Sequence, residues 1–428
     1  MPFDPKIKIP DENEYLNCIR CGLCLAVCPT YREYKNETDS PRGRVALARK
    51  SLEDELLLSP NLVEKMYSCL ACLACNDICP VGIKPADIAM EMRHVAEQVK
   101  PTPWKDRLFG KVVANPDLME KATWPLRVYQ NLGLRWLVHT LRINKLFPKQ
   151  LHDLENMLPR QPKQPLRQSL PVISKSLNES KYRVGFFLGC AQSLMFSEES
   201  AASVRVLNRN GCTVITPRET VCCGMPAAGY GRLDLVIEQA KTNIDLFLNE
   251  DPDVIVTDCA TCGSQLRDYG KLLADDLDWA EKARTFSAKI RDISEFLMSI
   301  PLEKPIGSVN ARVTYHDPCH LRRAQKVWKE PRGILQMIIG VDYVEMPEAD
   351  WCCGAAGSQL ITHYETSTRI LDRKMENLAS TRAEIIASGC PGCQMQLATG
   401  IQRNGLKVKV MHPIQLLDLA YSQQIEVK

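Results

Sequence analysis

The chain has 428 residues, 45% hydrophobic and 25% charged, with a formal net charge of +3. That length calls for two to four domains with an ordinary buried core, and so small a charge argues against a nucleic-acid partner. No stretch of about 18 uncharged apolar residues predicts a transmembrane helix. The N-terminus, Met1-Pro2-Phe3-Asp4-Pro5, lacks the charged start and apolar core of a signal peptide. A cytoplasmic protein is expected, peripheral on the inner face of the membrane only through a partner.

Residues 1–100 carry the first chemistry. Cys18, Cys21, Cys24 and Cys28-Pro29 form a C-x2-C-x2-C-x3-C-P run, which returns as Cys69, Cys72, Cys75 and Cys79-Pro80. This is the ligand pattern of a bacterial-type ferredoxin with two 4Fe–4S clusters, in which the fourth cysteine of each run serves the other cluster. One ligand set is then Cys18, Cys21, Cys24 and Cys79, and the other Cys69, Cys72, Cys75 and Cys28. Zinc is the weaker reading, because zinc cysteines usually come as C-x-x-C pairs a dozen or more residues apart; structural disulfides are weaker still. Ser40-Pro41-Arg42-Gly43-Arg44 marks a helix start. Further helices are expected over 62–67 and over 85–99, where Pro85 suits the first turn. Arg42 and Arg44 are read first as a solvated helix start and second as cations that offset cluster charge.

Residues 101–180 contain no cysteine and many prolines. A helix is expected over 126–146, with Trp136, Leu137 and Leu141 as core or, second, as a face that docks onto a partner subunit. Pro159 to Pro171 reads as a linker with polyproline character.

From 181 the chain repeats itself. Strands are expected at 182–188, 213–215 and 253–257, and in a second copy at 312–315, 341–346 and 384–386, with helices at 197–208 and 233–248. Cys190, Cys222-Cys223-Gly224, Cys259 and Cys262 punctuate the first copy. Cys319, Cys352-Cys353-Gly354, Cys390 and Cys393 punctuate the second. Cys190 to Cys319, Cys222 to Cys352 and Cys259 to Cys390 are 129, 130 and 131 residues apart. Alternating strands and helices argue for parallel βαβ units, 181–305 and 306–428, in which sites gather at the carboxyl ends of strands. Every motif cysteine follows a strand, so each set of five can converge. Gly224 and Gly354 are expected at turns that other residues resist. Cys262 and Cys393 are placed at helix N-termini, where the dipole favours thiolate.

These two sets point to further iron–sulfur clusters. Zinc, a redox dithiol at Cys222-Cys223 or Cys352-Cys353, and simple packing remain open beside that reading. Adjacent cysteines rarely close a disulfide without strain. Cys212 has no counterpart and reads as a small buried hydrophobe. His316 and His320 flank Cys319 and could tune a cluster by hydrogen bonding, with direct ligation secondary because cysteines suffice. Arg322, Arg323, Lys326 and Arg332 read as a solvated helix face, or else as contact with an acidic partner. No G-x-G-x-x-G run follows a strand, and there is no P-loop. Clusters pass single electrons, whereas oxidising an organic substrate usually removes a hydride, so a flavoprotein partner is expected. No flavin is expected in this chain.

Beyond the cysteines, several stretches resemble the iron–sulfur subunit family of glycolate oxidase: Thr30-Tyr31, Ser40-Pro41-Arg42-Gly43-Arg44, Gly189-Cys190-Ala191-Gln192, His316-Asp317-Pro318-Cys319 and Cys352-Cys353-Gly354-Ala355-Ala356-Gly357. The resemblance spans nearly the whole chain and is weakest over 101–180. It implies an α+β and α/β multidomain protein: an α-helical dicluster ferredoxin domain, then two duplicated α/β CCG domains with parallel sheets. It implies a separate FAD subunit that oxidises glycolate or D-lactate, with electrons passed on toward quinone. Related subunits serve anaerobic glycerol-3-phosphate dehydrogenase and heterodisulfide reductase; in the latter, paired CCG domains are associated with non-cubane 4Fe–4S clusters.

Overall fold

Capping signals fix the helices of the N-terminal module. In this computed structural model, which describes residues 9–53, 55–99, 115–132, 161–357 and 359–422 with isolated positions at 112, 136, 138 and 140, Ser40 caps helix Pro41–Leu52 by accepting from Gly43 N. Ser59 caps helix Pro60–Tyr67 in the same way, and helix Pro85–Val99 follows. Each begins with proline, whose missing N–H costs nothing in a first turn. The three pack Val45, Ala48, Met66, Ile88 and Met92 into one core beneath the cysteine runs.

The expected helix over 126–146 begins ten residues earlier. Asn115 caps it, and it runs Pro116–Asn131 with Pro125 inside. The Asn-Pro start is a local signal that the count of prolines obscured. Trp136 is exposed, not core. Leu137, Leu141 and Pro159 lie outside the described residues.

Two sheets follow. The first holds β1 (Ile173–Ser174), β2 (Tyr182–Phe186), β3 (Cys212–Ile215), β4 (Val254–Thr257) and β5 (Ile290–Asp292). Its order is β1-β3-β2-β4-β5, parallel except for the β1 edge, which pairs antiparallel with β3. The second holds β6 (Ser308–Tyr315), β7 (Ile339–Tyr343), β8 (Ile385–Ala387) and β9 (Lys409–Met411), in the order β7-β6-β8-β9, all parallel. Without β1, the two orders coincide. The central strands are apolar runs buried on both faces, as parallel strands between helices must be. β7 sits earlier than the expected 341–346, and β1, β5 and β9 are too short to show a period.

The sheets share one of their cores. Val184, Val214 and Val256 of the first share a cluster with Val313, Tyr315 and Ala387 of the second. Helix Ser197–Arg209 packs on the C-terminal helix Pro413–Ser422. Arg205 donates to Asp418 at 2.7 Å, and the Arg209 guanidinium lies over the Tyr421 ring. Against the first repeat, the N-terminal module sets Arg93 on Gly229 O (3.0 Å), His94 against Gly231 O (2.9 Å) and Tyr67 on Tyr230 O (3.2 Å). Against the second it sets Tyr34 on Thr366, and Glu64 on His363 at 2.6 Å.

Candidate metal centres

The first cysteine run curls because Arg20 and Gly22 are both left-handed, at φ 55° and 86°. The second curls on Ala71 and Leu73, at 48° and 62°. A non-glycine residue at positive φ is held by its surroundings at a cost of about 1–3 kcal/mol, so both curls are imposed shapes. Cys18, Cys21, Cys24 and Cys79 line one cavity, with Gly22 and Arg42. Cys28, Cys69, Cys72 and Cys75 line another, with Thr30 and Arg44. Each cavity therefore takes three cysteines from one run and the fourth from the other. Four convergent sulfurs around a hollow suit an iron–sulfur group.

Arg44 is not a solvated helix residue. It is 1% exposed and donates to Lys65 O (2.7 Å), Thr30 Oγ1 (3.1 Å) and Ser68 Oγ (3.1 Å). Thr30 Oγ1 lies 3.2 Å from Cys28 Sγ. Burial pushes the Cys28 thiol up, and the Arg44 charge opposes it. Arg42 bonds Glu37 (2.6 Å) and Arg20 O (3.1 Å) at the rim of the other cavity. Burial likewise raises the Cys24 thiol, against a hydrogen bond from the Arg42 backbone.

In the repeats, strand ends and helix starts deliver the sulfurs. Cys190 opens helix Cys190–Met195 after β2. Cys259 follows β4 and caps helix Ala260–Arg267, its thiol accepting from Cys262 N at 3.4 Å. Cys390 precedes helix Pro391–Arg403, with Cys393 in the first turn. Gly224 and Gly354 turn the adjacent pairs at φ 94° and 87°. A Cβ on Gly224 would meet Val236 Cγ1 at 2.9 Å, and one on Gly354 would meet Ser367 O at 2.6 Å.

All five sulfurs of the first repeat meet. Cys190 Sγ is 4.0 Å from Cys222 Sγ; Cys222 interacts with Cys223, Cys223 with Cys262, and Cys262 with Cys259. The second set is linked alike, through Cys319–Cys352, Cys352–Cys353, Cys353–Cys393 and Cys393–Cys390. Two contacts cross between modules. Cys259 interacts with Cys390, joining the two sets. Cys72 interacts with Cys352, joining the second set to the N-terminal module. The helix dipole does not win at Cys262 and Cys393. Neighbouring thiols, first Cys223 and Cys353, and then burial hold both well above the usual thiol range.

The basic run is neither a solvated face nor free for an acidic partner. Arg322 and Arg332 hold buried Asp317 at 2.8 Å and 2.7 Å. Arg323 reaches Cys72 O (3.4 Å) and Asp350 (3.2 Å), and Lys326 pairs with Asp77 of the N-terminal module at 2.5 Å. Its acidic partners belong to the chain itself. His320 bonds Ala71 O at 3.0 Å, and His412 is satisfied by Asp258 O and Ile414 N. Cys212 is buried among Val184 and Val214. Sequence reasoning missed Lys374, fully buried and donating to Glu348 O (2.5 Å) and Ala349 O (3.3 Å). Burial draws its amine down to about 8. It also missed Asn243, 131 residues earlier, which bonds Val221 N and Cys222 O at 3.2 Å. Repeat alignment alone would have put these two at one position. Arg167 was missed as well. It pairs with Asp117 and with Glu120 (2.9 Å), pinning helix Pro116–Asn131 beside a cavity lined by Cys190 and Cys222.

Family models match three parts of the chain: a 4Fe-4S dicluster domain over 14–83, a glycolate oxidase iron–sulfur subunit linker region over 100–158, and a cysteine-rich domain twice, over 184–267 and 313–398. The chain is 37% identical to a probable glycolate oxidase iron–sulfur subunit of Bacillus subtilis, over 95% of this chain and 94% of that protein. It is 29% identical to the glycolate oxidase iron–sulfur subunit of Escherichia coli, over 95% and 94%. A lactate utilization protein A of Oceanobacillus iheyensis is 32% identical over 55% of this chain and 96% of its own length. Among the described residues no helix is long and apolar enough to cross a membrane.

Proposed function

We propose that this chain, which belongs to the family of glycolate oxidase iron–sulfur subunits, carries electrons from a partner FAD subunit that oxidises a 2-hydroxy acid, glycolate or D-lactate, toward a quinone. When bound, iron–sulfur groups would accept and release single electrons. The chain's own residues hold and insulate them. Cys18, Cys21, Cys24 and Cys79 are assigned to one 4Fe–4S cluster, and Cys69, Cys72, Cys75 and Cys28 to the other. Cys190, Cys222, Cys223, Cys259 and Cys262 are assigned to one further centre, and Cys319, Cys352, Cys353, Cys390 and Cys393 to another. The corresponding units are 1–100, the connecting segment 101–180, 181–305 and 306–428.

One observation carries this reading: the sulfurs form an unbroken series from the N-terminal module through Cys72–Cys352 to the second repeat, and through Cys390–Cys259 to the first. Electrons would enter the second repeat before the first. Two measurements test it. Affinity purification from the native host should bring down a flavoprotein, and a chain recovered with none refutes the subunit role. Cys28→Ser should strip the centre of Cys69, Cys72 and Cys75, and Cys79→Ser the opposite one, each losing about four irons. Loss from the variant's own run instead refutes the crossed assignment.

A second reading draws on the cavity beside Cys190 and Cys222: thiol–disulfide chemistry at the first repeat. Heterodisulfide reduction by the purified chain, with an artificial reductant and no partner, would establish it and displace the relay.

A further inference from the structure

The two repeats match in cysteines but not in what faces them. At the end of β6, His316 N donates to Ala387 O at 2.9 Å; at the end of β2, Phe187 N donates to Val256 O at 2.8 Å. The two residues are 129 apart, the same spacing as Cys190 and Cys319, and occupy one position of the repeated fold. Phe187 stacks on Phe247 with centroids 5.8 Å apart and packs among Cys222, Cys223, Cys259 and Cys262. The first set of sulfurs is thus backed by hydrocarbon.

His316 is 1% exposed, and neither ring nitrogen makes a hydrogen bond of ordinary geometry. Its ligand nitrogen and the sulfurs of Cys353 and Cys393 all lie within 4.8 Å of one another. The backbone cannot easily turn the ring elsewhere. Asp317 N donates to Ala349 O at 3.0 Å, and the Asp317 carboxylate is held by Arg322 and Arg332. A buried polar group left without a partner costs about 1–3 kcal/mol. Neutral imidazole carries one N–H and one lone pair. Thiolates only accept, so they can take the N–H but never the lone pair; a metal takes the lone pair. Donor atoms this close together can converge on one metal group with little movement.

We propose that His316 supplies an imidazole nitrogen to the metal group held by Cys353 and Cys393. The two repeats then carry different centres, all-sulfur in the first and sulfur-plus-nitrogen in the second. This rests on the reading that the repeats hold iron–sulfur groups. If the imidazole takes the place of one of the five thiolates at the metal, it raises that centre's potential, and the second centre would then be the more readily reduced.

The test uses the full chain, reconstituted anaerobically with iron and sulfide. Iron content above about eight per chain is required first; eight or fewer means that the repeats hold no iron, and this inference falls with that reading. Pulsed EPR is then recorded on chain grown with natural-abundance and with 15N-labelled histidine. A strong, isotope-sensitive histidine coupling to one centre is expected. It should vanish in His316→Phe, which copies the first repeat, with that centre's potential shifted to more negative values and the iron retained. Should His316→Phe not fold, the labelled wild-type chain still decides. Iron above eight with no histidine coupling, with one weak enough for a hydrogen bond, or with one that survives in His316→Phe overturns the ligand role and leaves the relay intact.

Discussion

The two cysteine-rich repeats have the same strand order and the same five sulfurs, yet they meet the rest of the molecule in opposite ways. The second touches the N-terminal module sulfur to sulfur, Cys352 against Cys72, with Arg323 and His320 gripping the backbone of that run. The first touches it through backbone carbonyls near Gly231, and its sulfurs lie instead beside a helix of the connecting segment. Lys374 and His316 stand by the second set where Asn243 and Phe187 stand by the first. Duplication supplied two equal frames, and a few buried residues now distinguish them.

The strongest way to break this contrast is Cys72→Ser. It removes both a cavity sulfur and the contact to Cys352, so about four irons should be lost. Both repeats should then stay oxidised on rapid mixing with reduced flavoprotein. Reduction of the first repeat at the wild-type rate would show that it has its own entry. Gly231→Ala comes next. Gly231 sits at φ 74°, and a Cβ there would meet Arg93 O at 2.4 Å. A loss of about 2–4 kcal/mol is expected from strain and clash, seen as a lower Tm, with both N-terminal centres still assembling.

Lys374→Met sharpens the charge difference. The carbonyls of Glu348 and Ala349 lose their donor, at about 1–3 kcal/mol, and a cation leaves the second set. Redox titration should show one repeat centre moving to lower potential; movement of both would erase the asymmetry. The smallest effect belongs to Arg167→Ala. It is read as thiol reactivity. In cluster-free chain, Cys190 and Cys222 should react faster with a thiol reagent, whereas Cys319 and Cys352 should not change.

Much of this was legible in the chain. The cysteine runs and the repeat interval stand out because metal ligation fixes residue type and spacing together. Helix 85–99 was legible because its proline start and apolar period agree. Other features were hidden for physical reasons. β5 and β9 have three residues each, too few for a period. Arg44 looks like any helix-start cation until tertiary packing buries it. The Cys72–Cys352 contact joins residues 280 apart in sequence, and only docking creates it. The basic run was misread because its counter-ions, Asp317, Asp350 and Asp77, come from three different segments.

The core shared by the two sheets has a further consequence. Because Val184 and Val313 lie in the same apolar cluster, the repeats cannot hinge apart without wetting it, and they move as a single block. The gap between their two sulfur sets is then a fixed length, indifferent to thermal jostling. Electron tunnelling falls steeply with distance, so the relay proposed above would need no gate between these two sets. A cut in the chain between β5 and β6 should yield halves that stay together, wired as before.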